Sequence, residues 1–132
     1  MSIRKKNTKK KVPRQVPDNM PLAYLACPYS HELRSVRCER FEKANRAAAK
    51  LMESGVVLFS PISHTHPIAD ANGLPLNWEY WERYDRAFLS VTSKMYVLMI
   101  DGWRESKGVQ AEIRIAEELG IAIEYLPESF VA

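Results

Sequence analysis

The chain has 132 residues, 46% hydrophobic and 27% charged, which fits one soluble globular domain with a core of ordinary size. Its net charge of +3 conceals an asymmetry: residues 1–14 carry seven Lys or Arg and no acid, leaving 12 basic against 16 acidic residues in a body near −4. We expect a basic, disordered arm over 1–20, at most weakly attracted to nucleic acid, ahead of a folded domain over 21–132. No apolar run reaches the length of a bilayer span or has the layout of a signal peptide, so the expected setting is cytoplasmic, without a membrane partner.

In chain order, Leu22-Ala23-Tyr24-Leu25-Ala26 is an unbroken apolar run suited to a strand covered on both faces. The loop Cys27-Pro28-Tyr29-Ser30 follows. Phe41, Ala44, Ala48, Leu51 and Met52 then trace a helical stripe that Gly55 ends. Val56 to Phe59 reads as a second strand, terminated at Ser60-Pro61, and Ile62 to Leu76 reads as a long loop. Asn77 is a suitable cap for a helix whose inward stripe is Trp78, Trp81, Asp85, Phe88 and Leu89. Met95 to Ile100 is a third strand, and Val109, Glu112, Ile113, Ala116 and Leu119 mark a helix before a fourth strand over Ile121 to Leu126.

Four strands alternating with three helices imply an α/β sandwich with a largely parallel sheet of four or five strands, in the order 2-1-3-4 at its core. In that order the first and third strands are neighbours whose connections leave in opposite directions, and ligands bind at such a switch point beside the carboxyl ends of the strands. The loops beginning at Cys27 and Asp101 flank that crevice.

Two acids interrupt apolar stripes, Asp85 and Glu112. Spacing by itself favours a Glu112 rotated to the edge of its stripe and solvated; the alternative is a carboxylate bordering a cavity where its reactivity is used. Cys27 and Cys38 form no Cys-x-x-Cys pair, and both are expected as reduced thiols. His64 and His66 lack the further ligands of a zinc site, so no metal is expected; they are read as lining a pocket mouth or bonding its loops. Trp78, Tyr80, Trp81 and Tyr84 are read as core or subunit-interface residues, whereas Trp103 stands at the strand edge where a ligand lies. Asp101 either holds its loop or orients the ligand. There is no Gly-rich dinucleotide or triphosphate cradle.

The segments Tyr24 to Ser30, Phe59 to His64 with His66-Pro67, Trp81 to Asp85, and Asp101-Gly102-Trp103 through Ser106, Gly108 and Glu112 resemble the nucleoside 2-deoxyribosyltransferase-like superfamily. Within it, the chain is most similar to a bacterial and phage branch of domains of unknown function. The resemblance implies a flavodoxin-like fold and N-glycosidic chemistry on 2′-deoxynucleosides or their 5′-monophosphates, without a cofactor, in a homo-oligomer. It implies Glu112 as nucleophile and Asp85 as the acid at the nucleobase. Tyr24, Cys27, Pro28, Tyr29, Ser60, His64, Asp101, Trp103, Ser106 and Gly108 would surround the substrate. The superfamily's transferases commonly have Asp six residues before the nucleophile, and its nucleotide hydrolases have Ser. This chain has Ser106, so the resemblance leans to hydrolysis of a 5′-monophosphate, with nucleoside transfer or a non-catalytic nucleotide-binding module as alternatives. The chain departs from the hydrolases' Ser-Ile-Arg-Gly-Gly-like phosphate loop, and Arg34 or Arg37 is the expected substitute for its Arg.

Overall fold

Apolar runs too short for helices form a four-stranded sheet, and the amphipathic segments between them cover its two faces. The computed structural model describes residues 21–132; the basic arm expected over 1–20 lies outside the described residues. The elements are β1 (Leu22–Ala26), α1 (Arg34–Glu53), β2 (Val57–Phe59), α2 (Pro61–Asn72), α3 (Trp78–Leu89), β3 (Lys94–Met99), α4 (Lys107–Leu119) and β4 (Ala122–Pro127), followed by a 3-10 turn, Glu128–Val131. The strands are all parallel in the order β2-β1-β3-β4, with Tyr24 in register with Phe59 on one side and Met95 on the other. The architecture is that of a flavodoxin-like sandwich.

Side chains alternate across a strand, so β1 and β3 feed two separate cores. Ala23, Leu25, Cys27, Tyr96, Leu98 and Ile100 pack with Ala44, Ala47, Ala48 and Leu51 of α1 and with Val131. Tyr24, Ala26, Met95 and Val97 face the opposite way, into Leu89 of α3 and Val109, Ile113 and Ala116 of α4. Three expected stripe positions turn outward: Met52 is 52% exposed at the end of α1, Phe88 40% near the end of α3 and Leu119 51% at the end of α4. In the last turn of α4 the buried side is instead carried by Ile115 and Ala116, because the helix runs past the edge of the apolar layer.

The segment expected as a long loop from Ile62 to Leu76 contains the helix α2, so four helices flank the sheet rather than three. Pro61 starts it, where a missing N–H costs no hydrogen bond, and Gly73 ends it in the left-handed conformation at φ +65° while the Leu74 N–H reaches back to the Ala69 carbonyl at 3.1 Å. Pro67 inside the helix and the polar run Ser63 to His66 hide any apolar stripe from sequence periodicity. The helix is held by its terminal chemistry and by packing against α1 and β1.

At the carboxyl edge of the sheet, Arg40 of α1 ties together the two loops of the switch point. Its guanidinium donates to the Ser30 carbonyl after β1 at 3.0 Å and to the Asp101 carbonyl after β3 at 3.3 Å. Gly102 permits this in two ways: it sits at φ +90°, and a Cβ there would overlap the Arg40 guanidinium. Gly102→Ala is expected to lower stability in urea denaturation by roughly 1–3 kcal/mol. In the Arg40→Ala background the same change should cost less, because only the backbone strain remains.

Candidate active site

Glu112 sits two turns into α4 on the stripe that faces the sheet, and only 5% of it is exposed. Its carboxyl accepts a hydrogen bond from the Tyr24 hydroxyl, which alternation along β1 aims at the same face. Asp85 on α3 lines the same cavity as Glu112 and lies close enough to shift the titration of both groups. Two acids and a phenol, from three elements separated by as much as 88 residues in sequence, thus form one cluster.

A cavity of about 300 Å³ opens over this cluster. Asp85 and Glu112 lie in its wall with Trp78 and Trp81 of α3, Tyr29 after β1, and Ser106, Lys107 and Gly108 at the amino end of α4. Ser106 caps α4 by accepting the Val109 N–H at 3.1 Å, so its own hydroxyl proton stays available to a ligand. At Gly108 a Cβ would meet Trp78 only at ordinary contact distance, 3.7 Å, which leaves the space in front of the helix end open. The mouth carries the ion pair between Lys107 and Glu79, and Glu105 beside it.

Burial dominates the electrostatics. Glu112 is held well above the usual carboxylate range, first by loss of solvent and then by the neighbouring Asp85 carboxylate. Desolvation likewise lifts Asp85 to about 6, opposed by the neighbouring Glu112 carboxyl and Tyr24 hydroxyl. Burial and the two acids raise Tyr24 well above its ordinary value, so its hydroxyl stays a donor. Both carboxyls therefore hold their protons more tightly than free carboxylates do, an arrangement that suits one to act as acid and the other as base or nucleophile.

Of the substrate-contact residues expected from sequence, Tyr29, Ser106 and Gly108 line the cavity and Tyr24 lies beneath it, bonded to Glu112. Cys27 is in the wall, but burial pushes its thiol up to about 12 and its sulfur turns to the Pro28 carbonyl at 3.4 Å, so it is no nucleophile. The other five stand outside the wall. Pro28 is packed into the interior, and Ser60 is buried with its hydroxyl on Ser63 at 2.7 Å. His64 lies on the exposed side of α2, 5.9 Å from the Phe59 ring. Asp101 points its carbonyl to Arg40 and exposes its side chain. Trp103 turns over β4, where its ring meets Tyr125 at 5.8 Å, carried there by the turn at Gly102. Neither Arg34, paired with Asp70 at 2.6 Å, nor Arg37, which donates to the His31 carbonyl, reaches the cavity.

Sequence reading missed the wall that α2 and its C-terminal segment supply, including Thr65, Ala69 and Leu76. His66, expected at a pocket mouth or bonding its loops, is buried, hydrogen-bonded through Nδ1 to the Tyr29 hydroxyl of the loop after β1, and tilted against the Phe41 ring at 4.5 Å. The signal that would have found the α2 wall is the pairing of Pro61 with Gly73 as helix start and stop. Trp78 and Trp81, read as core or interface, are cavity walls as well; the Trp81 indole N–H is fixed by the Pro75 carbonyl at 2.8 Å. Among the described residues, no group of three or more His, Cys, Asp or Glu is arranged to hold a metal, and no helix is long and apolar enough to cross a membrane.

A family model spans residues 22–126, from the first residue of β1 to the penultimate residue of β4, and so takes in every element of this site. The chain belongs to the family described as Domain of unknown function (DUF1937). No curated protein matches it. Within this DUF1937 domain, the acids of α3 and α4 are the chemically distinctive feature of the matched segment.

The sign of the Asp85 shift sets a stability test. Its folded value, about 6, lies above the ordinary 3.8, so between those values the folded chain keeps a proton that the unfolded chain has lost. Stability contributed by this group is therefore lost as pH rises through about 6. His66, whose pKa is lowered mainly by burial, acts in the opposite sense, so the comparison must be with a variant. Relative to the unaltered chain, Asp85→Asn should be more stable at pH 7.5 than at pH 4 by roughly 2 kcal/mol in urea titrations.

Proposed function

We propose that this DUF1937 domain cleaves the N-glycosidic bond of a 2′-deoxynucleoside 5′-monophosphate by way of a covalent glycosyl-Glu112 intermediate. The observation that carries the reading is the sharing of one cavity by Asp85 and Glu112, acids with raised pKa values beside a helix amino end. The resemblance of the Tyr24 to Ser30, Trp81 to Asp85 and Ser106 to Glu112 segments to the nucleoside 2-deoxyribosyltransferase-like superfamily supports the same assignment.

In this reading a proton sits on Asp85 when substrate is bound, leaving Glu112 ionised and steadied by the Tyr24 hydroxyl. The Glu112 carboxylate forms a bond to C1′ as the C1′–N bond breaks, and Asp85 gives its proton to the departing base. Water then attacks C1′, Asp85 takes the water's proton, and deoxyribose 5-phosphate leaves with Glu112 again free. The transition state has oxocarbenium character, which the flanking carboxylate stabilises through space. Trp78 and Trp81 offer aromatic surface for the base, and the Ser106 hydroxyl with the amino end of α4 offers donors to the phosphate.

A second reading, deoxyribosyl transfer between bases of free nucleosides, is favoured by the charge of the cavity mouth. Lys107 is already neutralised by Glu79, and Glu105 adds a further negative charge near where a phosphate would lie.

Incubation with a panel of deoxynucleosides and their 5′-monophosphates, followed by chromatography of free base, tests both readings. Glu112→Gln should lower the rate by at least about 10³-fold with the fold unchanged. The wild-type rate should fall as pH drops through about 6, where both acids become protonated and no nucleophile remains. Ser106→Ala should raise KM for monophosphates by about tenfold and leave nucleosides unaffected. Base release that persists in Glu112→Gln removes Glu112 from the mechanism, and release from no compound leaves the fold as a binding module.

A further inference from the structure

The mouth of the cavity keeps its positive charge in one place. Lys107 is the sole Lys or Arg among the described residues of the wall, against the acids Glu79, Asp85, Glu105 and Glu112. It is the first residue of α4, directly after the capping Ser106, where the helix dipole disfavours a cation and no acid in the same first turn offsets it. Arg104, three residues earlier, lies over the Trp103 ring at 4.9 Å instead.

The balancing charge comes from a different helix. Glu79, in the first turn of α3, accepts from the Lys107 ammonium on one carboxyl oxygen and from the Asn77 side-chain amide on the other at 3.2 Å. Lys107, followed by the Glu79 backbone N–H, holds this carboxyl at about 2, so it is an anion throughout the pH range of any assay. The two side chains are 57% and 68% exposed, and water screens their attraction enough that parting them is cheap. The partners are not alike, however. Glu79 keeps the Asn77 amide and the amino end of α3 when the pair opens, whereas Lys107 has no second acceptor among the described residues and stands where an anion is stabilised.

We infer that Glu79 is the specificity-determining residue of the cavity mouth: it occupies the Lys107 ammonium in the empty chain, and a phosphate monoester binds by taking that ammonium from it. The inference rests on the reading of the cavity as a deoxyribosyl site whose 5′ end lies at the start of α4. A phosphate monoester carries more charge than a carboxylate near neutral pH and has three acceptor oxygens, so it can receive the Ser106 hydroxyl, the free N–H groups of the first turn and Lys107 together. Lys107 reaches it by turning its flexible stem, since Ser106 is its neighbour in the chain. Glu79 then stays behind as a negative charge facing the phosphate, and its repulsion limits how tightly a monophosphate is held. An uncharged nucleoside leaves the pair closed. One carboxylate thereby sets the ratio in which the cavity takes nucleotide over nucleoside.

NMR titration of the isotope-labelled full chain with 2′-deoxyribose 5-phosphate and with 2′-deoxyribose tests this with no bond to cleave. The sugar phosphate should shift the amide signals of Ser106, Lys107 and Gly108. Glu79→Gln should tighten the sugar phosphate by about tenfold and the sugar by no more than about twofold. Adding Lys107→Gln should remove that gain. The gain should also shrink to less than about threefold as ionic strength rises from about 20 mM to about 300 mM, which a mere loosening of the mouth would not produce. An equal change for sugar and sugar phosphate in Glu79→Gln, a gain that survives Lys107→Gln, or no binding of sugar phosphate to either protein at about 20 mM would overturn the inference. Base release from nucleotides in any of those cases leaves the glycosidase reading standing. The expected series in a chain that releases no base supports the role of Glu79 and overturns the glycosidase reading alone.

Discussion

Placing the Glu112 carboxyl inside an apolar helix–sheet interface costs several kcal/mol if it is ionised and unpaired, and the surrounding structure is organised around meeting that cost. Tyr24 can reach it only because β1 is central and alternates its side chains, sending residue 24 to the α3/α4 face and residues 23 and 25 to the other. Asp85 can reach it only because α3 packs beside α4. The result is a buried pair of acids in which burial favours the protonated forms.

The cavity is reactive at its floor and negatively charged at its rim. The wall holds the acids Glu79, Asp85, Glu105 and Glu112 against the base Lys107. The donors facing this cavity, the Ser106 hydroxyl and the amino end of α4, act directionally and at short range rather than as a field that reaches far from the wall.

Rigidity of the site comes from contacts that cross between elements. Arg40 joins the loops after β1 and β3, the Lys107–Glu79 pair joins the starts of α4 and α3, and His66 on α2 holds the Tyr29 phenol against the wall. Each connects segments far apart in sequence, so the cavity has its shape only when all three layers are in place.

Much of the architecture was legible in the chain itself. Four short apolar runs, Gly55 after α1 and the alternation of strand with helix were enough for a parallel sheet of order 2-1-3-4 and a ligand edge beside β1 and β3, because these features follow from local periodicity and from connection rules that hold for any such sequence. Asp85 and Glu112 were visible as charges on apolar stripes. Only the tertiary structure decided that they meet, that Tyr24 lies between them and the sheet, and that Asp101, Trp103 and His64 turn away. Those outcomes depend on how far one helix slides over another and on the turn at Gly102, distances of a few ångströms that no spacing along the chain encodes. Helix α2 escaped for a different reason: with Pro67 in its middle and polar residues along its first half, it is specified by its ends and its neighbours rather than by an apolar face of its own.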